Sequence, residues 1–189
     1  MSAHEHHIKD NLGGKILQHT EVPVGKCYQC GKCSAGCPVT DEMDYPPSYI
    51  LRLLQTETPE NDDKVLRSFS IWVCLACEMC IGRCPMEIDI PPMMDFLRSE
   101  SIRQNKVNPK AKNILSFHKA FLNTINNSGR LSEMSLIKDY KLRTFNLFQD
   151  LKLAPQMISK GKLHLGSEKI ADLVNFKKIF SKTIKKEEK

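Results

Sequence analysis

The fold of this 189-residue chain is decided by the stretch Cys27-Tyr28-Gln29-Cys30-Gly31-Lys32-Cys33-Ser34-Ala35-Gly36-Cys37-Pro38, whose pattern recurs as Cys74-Leu75-Ala76-Cys77-Glu78-Met79-Cys80-Ile81-Gly82-Arg83-Cys84-Pro85. Both stretches read C-x2-C-x2-C-x3-C-P, and the second lies 47 residues after the first. Together they contain all eight cysteines of the chain. The sequence therefore carries one cysteine-rich site twice.

Two-cluster ferredoxins use this spacing to bind [4Fe-4S] clusters, and in them the fourth cysteine of each run binds the cluster of the other run. Spacings of two residues place three thiolates around one tight loop, while the fourth points across. We therefore predict two [4Fe-4S] clusters. The first cluster is assigned to Cys27, Cys30, Cys33 and Cys84, and the second to Cys74, Cys77, Cys80 and Cys37.

The residues between the cysteines predict how the clusters are surrounded. Small residues should let backbone N–H groups approach the cluster sulfurs; these residues are Gly31, Ala35, Gly36, Ala76 and Gly82. The first loop carries Lys26 and Lys32, whereas the second carries Glu78 and Arg83. Because positive surroundings favour the reduced state, we expect the first cluster to be the more easily reduced one.

Helical signals dominate outside the cysteine loops. Each motif is followed by a Pro-Pro pair, at residues 46–47 and 91–92, and proline suits the first turn of a helix. Little of the period-two alternation of strands is found, and residues 61–69 are predicted as a further short helix. Gly13-Gly14 is interpreted as a turn. We predict an all-α fold: a helical ferredoxin domain with additional helical arms at the carboxy terminus.

Charge divides the chain into an acidic and a basic part. Residues 1–100 carry 9 Lys and Arg against 15 Asp and Glu, a net charge of −6, whereas residues 101–189 have a net charge of +12. The predicted regions are an N-terminal extension (1–25), the helical ferredoxin domain (26–107) and a basic helical docking region (108–189). Within the last region, helical periodicity follows Asn108-Pro109, with Gly129 as its terminator, and returns over 132–150 and 167–186.

The basic excess predicts an acidic protein surface as partner. Nucleic acid is disfavoured because the phenylalanines of this region recur at helix-core spacing and do not alternate with the basic residues as a stacking surface would. No apolar stretch approaches the roughly 20 residues of a membrane span, and the polar amino terminus does not resemble a secretory signal. We therefore expect a cytoplasmic protein with no membrane span.

Other uses of the cysteines fit the pattern less well. Structural zinc sites usually have two C-x2-C pairs set well apart, whereas here a third thiol follows each pair after two residues. A zinc-stabilised nucleic-acid-binding module stays open as an alternative that iron content would test. All eight thiols are used as ligands, and the chain has no phosphate-binding loop or nucleophile motif. We expect it to transfer electrons without a catalytic residue of its own.

The amino-acid sequence of the motifs and of the residues around them resembles that of the C subunit of heterodisulfide reductase. The resemblance rests on Cys27 to Pro38, on Ile71-Trp72-Val73-Cys74 through Cys84-Pro85, and on the cysteine-free stretch that begins near Phe117-His118-Lys119. The cysteine motifs alone are similar to those of a wider group, the iron-sulfur subunits of succinate, glycerol 3-phosphate and related dehydrogenases. A quinone-linked dehydrogenase subunit is therefore the alternative function.

The resemblance implies a helical ferredoxin fold and a cytoplasmic complex of methanogenesis. In that family the flavin subunit performs flavin-based electron bifurcation, and the two-cluster iron-sulfur subunit conducts one branch of electrons to the disulfide-reducing subunit. The disulfide-reducing subunit reduces the coenzyme M-coenzyme B heterodisulfide, and a hydrogenase or formate dehydrogenase supplies the electrons. This sequence has no Cys-Cys-Gly motif, so the disulfide-reducing site is expected on another chain.

Overall fold

The computed structural model describes residues 11–145, 154–161 and 170–187. The α-helices are α1 (Leu12–Thr20), α2 (Lys32–Ala35), α3 (Pro47–Gln55), α4 (Pro59–Leu66), α5 (Ser70–Val73), α6 (Ile90–Arg103), α7 (Lys112–Ser128), α8 (Glu133–Thr144), α9 (Ala154–Ser159) and α10 (Leu173–Glu187). Short 3-10 turns span Val24–Lys26, Thr40–Glu42 and Pro109–Ala111. No described residue lies in a strand, so the predicted all-α class is confirmed.

The chain divides into two compact units, residues 1–111 and 112–189. The boundary predicted from the sequence lies at residue 107. Residues 1–10 of the predicted N-terminal extension lie outside the described residues, as do 146–150 and 167–169 of the regions predicted to be helical.

The first unit is built around the two helices that follow the cysteine motifs. Pro47 occupies the first turn of α3 and Pro91 that of α6, as the Pro-Pro pairs predicted. Several apolar side chains of these helices pack into a common core with α1 and α4 and are at most 1% exposed. They include Ile50, Leu51, Leu54, Met93, Met94 and Leu97. Burying each such side chain stabilises the fold by roughly 1.5–3 kcal/mol.

The interpretation of Gly13-Gly14 as a turn is wrong, because both residues lie in the first turn of α1. The Asn11 side chain caps this helix by accepting the N–H of Gly14 at 2.7 Å. Asp62 of α4 accepts the N–H of Leu12 at 3.1 Å. The two acceptors satisfy N–H groups that a helix start leaves unpaired, and they attach α1 to the core.

The helix predicted over residues 61–69 is α4, which begins at Pro59 and already ends at Leu66; residues 67–69 form a break before α5 begins at Ser70. The carboxylate of Asp44 lies at this break. It accepts the N–H of Phe69 at 2.7 Å and the N–H of Ser70 at 2.9 Å. A side chain from the segment after the first motif thus starts α5, the short helix that leads directly into Cys74.

The second unit contains α7 to α10. Gly129 ends α7 at φ +73°, as predicted, and a Cβ there would overlap the Ile170 side chain. The residues of α7 that are buried are small: Ala120, Thr124 and Ser128. The larger apolar residues Phe117, Phe121 and Leu122 are 37–52% exposed. This unit therefore presents apolar as well as basic side chains at its surface.

Candidate metal centre

The two cysteine loops repeat each other in backbone conformation as well as in spacing. Gln29 and Gly31 of the first loop have φ values of +63° and +75°. The residues 47 positions later, Ala76 and Glu78, have φ values of +50° and +62°. A helical turn precedes each loop, Val24–Lys26 in one case and α5 in the other. The duplication is thus a duplication of structure.

The second cysteine loop shares a pocket with one cysteine of the first motif. The small pocket is lined by Cys37 together with Cys74, Cys77 and Cys80, and by the apolar side chains of Ile90 and Met94. These four thiols are the set that the sequence assigns to the second cluster.

The first cysteine loop has the fourth cysteine of the second motif beside it. Tyr28 follows Cys27, and the pKa of its hydroxyl is raised by partial desolvation, by a hydrogen bond with Cys30, and by the nearby thiols of Cys84 and Cys27. Cys33 also lies near Cys27. Within the set assigned to the first cluster, Cys33 therefore lies near Cys27, and Cys30, Cys84 and Cys27 lie near Tyr28.

Several thiols lie close enough together to disturb each other's ionisation. Burial raises the pKa of Cys80 to about 11, and the neighbouring Cys74 and Cys33 contribute to the shift. The pKa of Cys74 is raised by burial, and Cys37 and Cys77 raise it further. Thiolates gathered in this way repel each other unless cations stand between them. The donor set therefore fits a metal group with several positive ions, which requires deprotonated thiols.

Among the described residues, no three Cys, His, Asp or Glu side chains surround one point closely enough to hold a single metal ion.

A clamp that residue spacing did not reveal holds the start of each loop. In the first loop the Gln55 Nε2 group donates to the carbonyls of Val24 at 3.2 Å and Cys27 at 2.6 Å. In the second loop the Arg98 guanidinium donates to the carbonyls of Ile71 and Cys74, which are the residues 47 positions later. The clamps escape a search of the sequence because Gln55 and Arg98 differ in type and are not 47 residues apart.

A close approach joins the two motifs at the residue before the fourth cysteine. A Cβ at Gly36 would overlap the side chain of Arg83, its counterpart 47 residues later. The absence of a side chain at Gly36 thus makes room for the guanidinium of the other loop. Among the three glycines of the loops, only Gly36 has a neighbour that a Cβ would overlap.

Each loop also has an open side. The second cysteine of each motif, Cys30 and Cys77, is exposed. The residue after the first cysteine is a large side chain in both cases, with Tyr28 58% and Leu75 63% exposed. A redox partner can therefore approach either loop at its surface.

The comparisons with known proteins agree with this geometry. Residues 23–88 match the family of the 4Fe-4S dicluster domain. Over 81 residues the chain is 37% identical to the C subunit of the ferredoxin:CoB-CoM heterodisulfide reductase of Methanosarcina acetivorans, covering 43% of this chain and 31% of that protein. The iron-sulfur C subunit of the CoB-CoM heterodisulfide reductase of Methanopyrus kandleri is 37% identical over 76 residues, 40% of this chain and 38% of that protein.

A longer match is to the C subunit of the H(2):CoB-CoM heterodisulfide,ferredoxin reductase of Methanothermobacter thermautotrophicus, 28% identical over 105 residues, 56% of this chain and 51% of that protein. The chain thus spans a third to a half of the length of these relatives. The predicted cofactors and the recognised resemblance are confirmed. Residues 23–88 match a 4Fe-4S dicluster domain, whose eight cysteines provide for two [4Fe-4S] clusters, in a chain that is similar to the C subunit of heterodisulfide reductase.

Proposed function

We propose that this chain is the electron-relay subunit of a heterodisulfide reductase complex. It passes electrons from the flavin subunit, through its two clusters, to the disulfide-reducing subunit, which acts on the coenzyme M-coenzyme B heterodisulfide. The observation that carries the proposal is the pair of adjacent cysteine loops, each with an exposed side at Tyr28 or Leu75. A relay needs one accessible side for the donor and another for the acceptor.

The chain's own residues hold the two sites together. The proposed first ligand set is Cys27, Cys30, Cys33 and Cys84, and the second is Cys74, Cys77, Cys80 and Cys37. Bound clusters supply one-electron redox chemistry. Because each set takes its fourth cysteine from the other motif, neither cluster can move away from the other without losing a ligand. Crossed ligation therefore fixes the distance over which electrons pass.

The carboxy-terminal region is proposed to dock the chain onto the complex. The second unit exposes Phe117, Phe121 and Leu122, and it lies within residues 101–189, which have a net charge of +12. Aromatic side chains are enriched at interfaces, and the positive charge steers association toward an acidic partner surface. We place the complex in the cytoplasm. None of the helices among the described residues is long and apolar enough to span a bilayer.

The proposal is tested by purifying the chain anaerobically from its source and identifying the proteins that accompany it. A flavoprotein, a chain with Cys-Cys-Gly motifs, and a hydrogenase or formate dehydrogenase are expected. Electrons from the physiological donor should then reduce this chain's clusters, and addition of the heterodisulfide should reoxidise them. A membrane cytochrome as partner, with clusters that quinone reoxidises, would instead identify a quinone-linked dehydrogenase subunit.

A further inference from the structure

The two loops differ at the residue two positions after the first cysteine. In the first loop this residue is Gln29, whose Nε2 group lies 3.4 Å from the Cys27 sulfur. In the second loop it is Ala76, which has the same left-handed backbone conformation but a side chain with no hydrogen-bond donor. The same place in the duplicated site thus has a donor to a thiol in one copy and none in the other.

The orientation of the Gln29 amide is fixed by its neighbour. Both N–H groups of Gln55 are used by backbone carbonyls, those of Val24 and Cys27, and a carbonyl can only accept. The Oε1 atom of Gln55 must then face the other way, where it accepts from Gln29 Nε2 at 3.0 Å. Gln29 consequently presents N–H groups, and not its carbonyl oxygen, to Gln55 and to the Cys27 sulfur.

We propose that Gln29, positioned by Gln55, raises the reduction potential of the first cluster by donating a hydrogen bond to the Cys27 thiolate. The hydrogen bond withdraws negative charge from the sulfur, and the reduced cluster, which carries one more electron, gains more from it than the oxidised cluster. Because Ala76 cannot do the same, the pair makes the two clusters electronically unequal. The inference rests on the two-cluster assignment of the proposed function but on none of its partners.

The test is an anaerobic redox titration of the full-length chain with its clusters in place, followed by electron paramagnetic resonance. In Gln29→Ala, one midpoint potential is expected to fall while the other stays, with iron content unchanged. At the original midpoint, the ratio of reduced to oxidised cluster should drop at least threefold, which is about 28 mV at about 59 mV per tenfold change. Alanine suits this position because Ala76 has the same backbone conformation.

Further variants separate tuning from a general structural effect. Gln29→Glu keeps the length of the side chain but removes the donor, so it should lower the same midpoint further. Gln55→Met, which also removes the clamp on the Val24 and Cys27 carbonyls, should lower the same midpoint through loss of the orientation of Gln29. Gln18→Ala, which removes an exposed amide from α1, is the matched control and should leave both midpoints in place.

Unchanged midpoints in both Gln29 variants would overturn the proposal, as would equal shifts of both midpoints. Loss of iron from Gln29→Ala and Gln29→Glu would also overturn it, because the amide would then hold the loop and not tune the cluster. These results come from the isolated chain. They are therefore distinguishable from a failure of the proposed function, which would show as the wrong partners in the purified complex.

Discussion

Asp44 is predicted to be the side chain on which the second cysteine loop most depends outside the loop itself. Its carboxylate accepts the N–H groups of Phe69 and Ser70 and the hydroxyl of Ser70, and Cys74 follows only one short helix later. Asp44→Ala leaves these donors at the start of α5 without their acceptor. Hydrogen bonds to a charged group contribute about 1.5–3 kcal/mol each, and less where water can replace the acceptor.

We take about 3 kcal/mol as the total loss in Asp44→Ala, because Asp44 is exposed and water replaces some of what is removed. For a unit of about 100 residues, 1 kcal/mol shifts the melting temperature by about 4 °C or more, so a fall of about 12 °C is expected. Asp44→Asn keeps one acceptor oxygen and should lose about half as much. The assay is anaerobic thermal unfolding of the cluster-loaded chain at one scan rate, followed by circular dichroism and cluster absorbance.

The pH dependence of the Asp44 contribution has a defined sign. Burial alone would raise the pKa of this carboxyl, but the donors from Ser70, Phe69 and Tyr45 outweigh it and the pKa is lowered. A lowered pKa stabilises the folded state above the unfolded value of about 3.9, and this contribution is lost only as the pH falls through the folded pKa. The difference between wild type and Asp44→Asn should therefore be the same at pH 8 and pH 6.

Asp41→Ala is the matched control, because Asp41 is an exposed aspartate in the preceding 3-10 turn. It should change stability by less than about 0.5 kcal/mol. If the stability of Asp44→Ala lay within about 0.5 kcal/mol of that of Asp41→Ala, the reasoning that Asp44 attaches α5 to the first motif would be refuted.

Other substitutions test the clamps, the backbone and the cofactors. Arg98→Met should accelerate loss of iron at fixed temperature several-fold, since it removes the guanidinium from the Ile71 and Cys74 carbonyls. Arg67→Met, which removes a 59% exposed side chain paired with Asp63, should not accelerate it; equal rates would contradict the clamp. Glu78→Gly should raise the free energy of unfolding by about 0.5–1 kcal/mol, because glycine relieves the positive φ at this position. Glu60→Gly within α4 should lower it by a similar amount. A change of the same sign in both variants would contradict this reasoning. Removal of both clusters with a chelator should abolish much of the helical circular dichroism of the first unit, and retention of the native spectrum would show that the unit folds without ligand bonds.

The sequence predicted the parts of this structure that depend on residue type and spacing. Pro47 and Pro91 mark the helices after each motif because proline is restricted to few backbone conformations, and Gly129 ends α7 for a related reason. The cysteine spacing likewise predicted the two clusters, because only a tight loop places three thiolates together.

What the sequence did not predict depends on contacts between distant segments. The start of α1 is set by the local cap Asn11 and by Asp62, about 50 residues away, so Gly13-Gly14 alone resembled a turn. The break between α4 and α5 is set by Asp44 in the same way. The clamps of Gln55 and Arg98 are equivalent only in the carbonyls that they bind, and no repeat of residue type reveals them.

The central claim, two [4Fe-4S] clusters on eight cysteines, is tested most directly by counting metal and sulfide in the anaerobically purified chain. About eight iron atoms and eight acid-labile sulfides per chain are expected, with brown colour and no stoichiometric zinc. About four irons would contradict one of the two ligand sets, and zinc without sulfide would contradict the assignment of both sites.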